Sequence, residues 1–306
     1  MKTEINHFLD TLDRSPKTIR AYRYGLSRFV SIVGDDAELN TETYEIFLKA
    51  ITKFAPSTKQ IWRSAVLGLY SFCKLGNWIE LKEITKHYTR KQGKRIVNFN
   101  REAIETVIEY CSRLSGDLPA LRDRAFVLTL ADTGLRISEA CALKRGDIDW
   151  QEHRAIIIGK GDKQAMIHFS DRSIQALKEY LIARGNVDPN SRIPLASQPL
   201  FARHDMMASK RIKPINASGM WRAMKGTPSD AKIRVVGRIA EAGIDRQLVR
   251  IHDFRHYFVT MTYLAEGNLK ISQELARHES ITTTNRYTHF SGEASAAYDR
   301  IFNKRK

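Results

Sequence analysis

Apolar residues recur every three or four positions along the first third of the chain, with charged and amide side chains between them. This spacing lines up side chains on one face of an α-helix. Ser15 and Pro16 form a typical helix start and Gly34 a typical helix end, so the stretch between them is predicted to be helical. The same pattern predicts two further helices, one from Asn40 and one over residues 56–75.

The chain after about residue 98 combines two kinds of element. The sequence RAIIIGKGDKQAMIHF contains two short apolar runs, 154–158 and 164–169, around the turn sequence GKGDK, which predicts two antiparallel β-strands. The sequence therefore predicts a mainly α-helical fold with a small antiparallel β-sheet, an all-α N-terminal domain preceding a mixed α/β domain. The helices predicted in the second domain are 100–114, 120–132, one from about 138, 171–184, 217–224, 229–242, 253–265, 269–277 and 281–290.

The sequence KEITKHYTRKQGKR, residues 82–95, interrupts these patterns. It contains six Lys or Arg residues, one Glu and no apolar period. We expect a domain boundary here, and both a mobile tether and a segment lying along a DNA backbone fit the composition. The predicted division is an N-terminal helical domain over 1–84, a basic linker over 85–97 and a mixed α/β domain over 98–306.

The charge of the chain indicates the class of its partner. Fifty Lys and Arg against 34 Asp and Glu give a formal net charge of +16, and nucleic acid is the commonest partner for such an excess. The rival partner, an anionic membrane, would need an amphipathic basic helix, a lipidation signal or a long apolar segment, none of which the sequence contains. The N-terminus has no apolar signal region, and three scattered cysteines suggest neither a disulfide framework nor a zinc site. We therefore expect a cytoplasmic protein without metal or cofactor.

The basic residues of the first domain are nearly uniform in sign and lie between the apolar stripes. Any one of them fits an ordinary solvated helix face, but as a set they favour a surface that contacts phosphates. The candidate DNA-binding residues are Lys17, Arg20, Arg23, Lys59 and Arg63 of the helices, with Arg90, Lys91 and Lys94 of the linker.

Basic and imidazole residues are the candidates for chemistry, because the sequence has no P-loop, no H-E-x-x-H zinc helix and no G-x-S-x-G elbow. The sequence HDFRH puts His252 and Arg255 on one face of a helix, where both could address one anion. The sequence TGLRISEA puts Arg136 at a helix start, with Glu139 three residues later to hold an arginine or a histidine in place. Two guanidinium groups and a histidine suit the non-bridging oxygens of a phosphodiester.

Four segments occur in a fixed order, TGLRISEA, IGKGDK, HDFRH and RHESITTTNRYTH. The set resembles the tyrosine recombinase family of phage integrases and Xer-type recombinases, over nearly the whole chain. The resemblance implies a core-binding (SAM-like) N-terminal domain and a tyrosine-recombinase catalytic domain acting on double-stranded DNA. The catalytic positions carried over from the family are Arg136, Lys160, His252, Arg255, His278 and Tyr287, with Glu139 in the supporting acidic position.

The resemblance also implies a role for each residue. Tyr287 would attack the scissile phosphate, leaving a 3′-phosphotyrosyl link and a 5′-hydroxyl, so that no high-energy cofactor is needed. Arg136 and Arg255 would stabilise the charge of the transition state, and His278 would add a hydrogen bond. His252 would accept the proton of the tyrosine, and Lys160 would protonate the departing oxygen, with Lys163 of the same turn as the alternative.

Two features of the sequence depart from the family pattern. Arg277 stands where the family usually has glycine, and residues 225–250 extend the compact Xer-like form. The tail over 291–306 either packs on its own domain or, as the resemblance implies, docks on a neighbour in a tetramer.

The favoured function is a site-specific recombinase, for integration and excision or for dimer resolution, with accessory DNA-bending proteins as further partners. The alternatives are a type IB topoisomerase-like nicking enzyme and a non-catalytic DNA-binding protein.

Overall fold

The computed structural model describes residues 1–75, 77–89, 99–158, 164–186, 188, 193–205, 212–228, 230–231 and 234–277. The chain divides into two compact units, residues 1–94 and 95–306. Each unit has its own hydrophobic core.

The N-terminal unit is helical throughout its described elements. Ser15 begins the second helix by accepting a hydrogen bond from the Thr18 N–H at 3.3 Å. Asn40 begins the third, where its side chain accepts from the Thr43 N–H at 2.9 Å. The helices are α1 (Lys2–Asp10), α2 (Pro16–Val33), α3 (Thr41–Ala50), α4 (Pro56–Phe72) and α5 (Trp78–His87).

The helices α1 and α5 have no counterpart in the sequence prediction. Phe8 and Leu9 of α1 are buried in the core of the unit, and so is Leu81 of α5. The Tyr44 hydroxyl is hydrogen-bonded to Thr85 of α5 at 2.9 Å. Residues 82–87, expected to lack an apolar period, are therefore the second half of α5, because Leu81 and Ile84 pack into the core of the unit.

The C-terminal unit combines helices with a three-stranded antiparallel sheet of order β1-β2-β3, in which Ile156 pairs with Met166. This confirms the predicted fold class, mainly α-helical with a small antiparallel sheet. The helices are α6 (Arg101–Ser112), α7 (Leu118–Thr133), α8 (Ile137–Ala142), α9 (Asp171–Ala183), α10 (Ala217–Lys225), α11 (Arg238–Glu241), α12 (Asp253–Glu266) and α13 (Leu269–Ala276), and the strands are β1 (Ile148–Asp149), β2 (Arg154–Ile158) and β3 (Gln164–His168).

The prediction of a helix over 229–242 was wrong for the described residues of that range outside α11. The chain turns back on itself instead, because the Thr227 N–H donates to the Val235 carbonyl at 3.0 Å. Gly226 has a φ of 74°, and a Cβ there would lie 2.5 Å from the Val235 oxygen. The Lys225 ammonium closes the segment by donating to the Val249 carbonyl at 2.6 Å. The turn thus uses the Val235 carbonyl, which a continuous helix would have paired internally.

Two kinds of feature are absent from the described residues. None of its helices has the length and apolar character that crossing a bilayer requires. Within the same residues, no group of three or more His, Cys, Asp or Glu side chains is arranged to hold a metal ion.

Candidate active site

A tight turn between α7 and α8 is the centre of the candidate site. Gly134 ends α7 in the left-handed conformation, with φ 60° and ψ 21°. The Leu135 N–H donates to the Thr133 hydroxyl at 3.2 Å, which fixes the turn. A Cβ on Gly134 would lie 2.4 Å from Cδ1 of Phe258 in α12. Only glycine therefore lets α12 approach the turn this closely.

Arg136 follows this turn and precedes the first residue of α8. Its backbone N–H donates to Oε2 of Glu139 at 2.9 Å, and its Nη1 donates to Oε1 of the same carboxylate at 2.5 Å. The Arg136 side chain is 42% exposed, whereas that of Glu139 is 11% exposed. The carboxylate thus holds Nη1 of the Arg136 guanidinium, while part of the arginine side chain stays accessible to a ligand.

The ionisation of Glu139 depends on these neighbours. Burial alone would raise the pKa of the carboxyl, but the hydrogen bonds from Arg136 and the charge of Arg277 outweigh it and lower the pKa. Glu139 is therefore a carboxylate at neutral pH, and it attracts the arginines on both sides.

Arg255, in the first turn of α12, is almost fully buried, with 2% of its surface exposed. Its Nη1 donates to the Gly134 carbonyl at 2.6 Å, and its Nη2 donates to the Ala276 carbonyl at the end of α13. The guanidinium thus ties three segments together, and it lies at the turn that carries Arg136.

His252 lies directly before the first residue of α12, and its ring meets the His256 ring edge to face at a centroid distance of 4.6 Å. Although the residue as a whole is exposed, desolvation of the imidazole lowers its pKa. The positive charges of Arg255 and Arg136 lower it further. A lowered pKa keeps His252 neutral near pH 7, which is the form that can accept a proton.

Arg277 ends α13 in the left-handed conformation, with φ 56° and ψ 44°. Its Nη2 donates to the Gly134 carbonyl at 3.3 Å and lies 3.5 Å from Oε2 of Glu139. The one signal in the sequence was that Arg277 stands where the family usually has glycine, the residue favoured in the left-handed conformation.

The structure thus brings together four residues that the sequence predicted, Arg136, Glu139, His252 and Arg255. The carbonyl of Gly134 and the side chain of Arg277 join them, and neither was predicted from the sequence as a site residue. The other predicted catalytic residues lie outside the described residues, namely Lys160 between β2 and β3, His278 immediately after Arg277, and Tyr287.

The predicted DNA-binding residues of the N-terminal unit differ in exposure. Lys17 and Arg20 of α2 are exposed and line a shallow cavity of about 390 Å³ beside Trp62. Arg23 is exposed and donates to the Asn6 side chain at 3.2 Å, and Lys59 donates to the Thr52 carbonyl at 3.2 Å.

Arg63 does not fit the prediction of a phosphate contact. It is buried, with 8% of its surface exposed. Its guanidinium is occupied within the unit, where it donates to the Lys59 carbonyl at 3.2 Å and to the Thr89 hydroxyl. The helical spacing could not distinguish the buried edge of α4 from its outer face. The linker candidates Arg90, Lys91 and Lys94 lie outside the described residues.

Comparison with known proteins identifies the family. The model of the phage integrase family matches residues 97–293, which include every element of the candidate site. The chain belongs to the phage integrase family. The resemblance to tyrosine recombinases inferred from the four motifs is thereby confirmed, and membership gives the enzyme class, a tyrosine recombinase that breaks and rejoins DNA strands.

Two tyrosine recombinases are similar to this chain over different parts of its length. Tyrosine recombinase XerC of Herpetosiphon aurantiacus is 29% identical over 322 residues, covering 98% of this chain and 94% of that protein. Tyrosine recombinase XerD of Bifidobacterium longum is 34% identical over 58% of this chain and 53% of its own length. The XerH site-specific recombinase, solved in a post-cleavage complex with a palindromic difH substrate, has a TM-score of 0.68 at 22% identity, covering 94% of this chain and 80% of that one. This last likeness shows a shared fold.

Proposed function

We propose that this tyrosine recombinase cleaves DNA with Tyr287 as its nucleophile and Arg136 and Arg255 as the groups that stabilise the transition state. The observation that carries the proposal is the convergence of these two guanidinium groups and a neutral His252 on the turn at Gly134. A phosphodiester under attack gains negative charge on its non-bridging oxygens, and forked, permanently charged guanidinium groups suit that charge.

Proton transfer completes the mechanism. A phenol with an ordinary pKa of about 10 is roughly one part in a thousand ionised at pH 7, so Tyr287 needs a base. His252 is that base, since its lowered pKa leaves the imidazole neutral. Lys160 protonates the departing 5′-oxygen, with Lys163 as the alternative, and His278 donates a hydrogen bond to a non-bridging oxygen.

Strand exchange follows from the covalent link. The 3′-phosphotyrosyl bond retains the energy of the phosphodiester, so a 5′-hydroxyl of a partner strand attacks it without ATP. In the proposed assembly, residues 1–84 and the basic segment 85–97, whose first three residues end α5, hold the duplex, residues 98–306 cleave it, and the tail 291–306 docks on a neighbour in a tetramer. The enzyme acts on DNA in the cytoplasm, with accessory DNA-bending proteins as further partners in integration, excision or dimer resolution.

A suicide-substrate assay tests the proposal directly. The recombination site is first obtained by repeated selection of bound duplexes from a random library. A duplex of that site with a nick next to the scissile phosphate loses a short 5′-hydroxyl fragment after attack, which traps the protein on the DNA. We expect a covalent adduct on a denaturing gel, with a 3′-phosphotyrosyl linkage. Failure to form any adduct on a tightly bound site would refute the proposed cleavage chemistry.

The DNA-binding surface predicts a second result. Because Lys17 and Arg20 are exposed side by side on α2, replacing both with alanine should weaken binding and reduce the slope of log affinity against log salt by about one per residue. Lys49→Ala, which removes an ion pair of 3.0 Å with Glu45 on α3, is the matched control and should leave the slope unchanged. Titrations over a range of salt concentrations measure both. An unchanged slope in the double variant would remove these two residues from the DNA surface.

A further inference from the structure

Arg277 supplies a third guanidinium group at the turn between α7 and α8. It approaches the acceptors to which the guanidinium groups of Arg136 and Arg255 donate hydrogen bonds. Its Nη2 lies 3.5 Å from Oε2 of Glu139, whose other oxygen binds Arg136. The same Nη2 donates to the Gly134 carbonyl at 3.3 Å, which also accepts from Arg255 at 2.6 Å. The Arg277 side chain at the end of α13 therefore links the Glu139 carboxylate, which binds Arg136, to the Gly134 carbonyl, which binds Arg255.

The position of Arg277 is unfavourable for stability in two ways. A non-glycine residue at a φ of 56° is strained, because its Cβ approaches the backbone carbonyl. The side chain is only 11% exposed, and among the described residues Nε and Nη1 have no hydrogen-bond partner. Burying a charged group with unused donors costs free energy. A residue that served only to end the helix would be better as glycine.

The charge at Arg277 has a further consequence for Glu139. Desolvation lowers the pKa of the Arg277 guanidinium, while Glu139 opposes that effect by stabilising the charged form. In return, Arg277 helps to keep Glu139 ionised inside the protein. An ionised and doubly held carboxylate has one orientation, and so does the Arg136 side chain that it binds.

We propose that Arg277 is a positioning residue, which fixes the guanidinium groups of Arg136 and Arg255 for the scissile phosphate through the Glu139 carboxylate and the Gly134 carbonyl. The inference rests on the proposed function, because the phosphate is the group that those two arginines serve. Arg277 itself does not contact the DNA, since its guanidinium faces the carboxylate and the carbonyl inside the protein.

The substitution Arg277→Gly separates a positioning role from a structural one. Glycine accepts the left-handed backbone without strain, so the variant should fold at least as stably as the wild type. We nevertheless expect single-turnover cleavage at saturating protein to slow by about 10- to 100-fold, the scale on which a small misplacement of catalytic groups acts. DNA affinity and its salt dependence should stay unchanged. Arg277→Lys, which keeps the charge but not the fork, should recover part of the rate.

Two comparisons make the result specific. Lys74→Gly is the matched control, because Lys74 also has a left-handed backbone, with φ 54°, and lies in the N-terminal unit. Its rate of cleavage at saturating protein should equal that of the wild type. Glu139→Gln should slow cleavage, and the double variant Arg277→Gly with Glu139→Gln should be no slower than the slower single variant, since both act through one link.

The outcomes distinguish this inference from the proposed function. Wild-type cleavage by Arg277→Gly would overturn the positioning role while leaving Tyr287 and the two arginines in place. A salt slope reduced by about one would also overturn it, because that result would make Arg277 a direct phosphate contact. If the wild type itself formed no covalent adduct, the proposed cleavage of DNA would be refuted, whatever the result for Arg277→Gly.

Discussion

Replacing Tyr287 with phenylalanine will abolish the covalent protein–DNA adduct and leave DNA binding intact. Phenylalanine keeps the ring and removes only the oxygen that forms the bond to phosphorus. Loss of a nucleophile typically slows a reaction by at least about 10³-fold, so no adduct should be detected on a denaturing gel at any time of incubation. Gel-shift titration of the same duplex should give the affinity of the wild type, because the phenol hydroxyl contributes little to a contact surface made of many phosphates.

A matched control removes a hydroxyl away from the site. Tyr110→Phe loses a hydrogen bond of 3.1 Å to Glu241, and neither residue is among the groups assigned to the candidate site. This variant should form the adduct at the rate of the wild type. If Tyr287→Phe still formed an adduct that proteolysis and mass spectrometry assign to another tyrosine, the nucleophile would have to be reassigned.

Helices could be predicted from the sequence where the residues typical of a helix start, a helix end and the apolar period indicate the same bounds. Pro16 and Gly34 bound a regular apolar period, and the structure has α2 over Pro16–Val33. The pairing of Arg136 with Glu139 was also predictable, because residues three apart at a helix start face each other, and the structure joins them by two hydrogen bonds.

Other features depend on contacts between distant segments, which spacing does not encode. Periodicity assigns Arg255 and Arg63 to helices, but their burial follows from the packing of other segments around them. The segment 229–242 has helix-forming residues, yet Val235 pairs with Thr227, and among the described residues of the segment only those of α11 are helical. Tertiary interactions override local propensity in such cases. The role inferred for Arg277 likewise required the distance of 3.5 Å between α13 and Glu139.

The two active-site arginines should differ in what they do for the fold. Arg136→Ala and Arg255→Ala should both slow cleavage by about 10³- to 10⁵-fold, the range for arginines that stabilise phosphoryl transition states. Arg255→Ala should also destabilise α12 and α13 by roughly 2 to 4 kcal/mol, because it leaves the buried Gly134 and Ala276 carbonyls without this donor. Arg136→Ala should cost less than about 1 kcal/mol, since its side chain is 42% exposed and Glu139 keeps Arg277 as a partner.

Hydrogen–deuterium exchange of the full chain measures this difference where it arises, because amide protection reports the local opening of each helix. Amides of α12 and α13 should exchange faster in Arg255→Ala and at the wild-type rate in Arg136→Ala, while those of α2 are an internal control in both. Arg255→Lys keeps the charge but lacks the fork that reaches two carbonyls, so it should recover little of the protection. Equal exchange in the two alanine variants would contradict the structural role of Arg255, and normal cleavage by either would remove that arginine from the catalytic set.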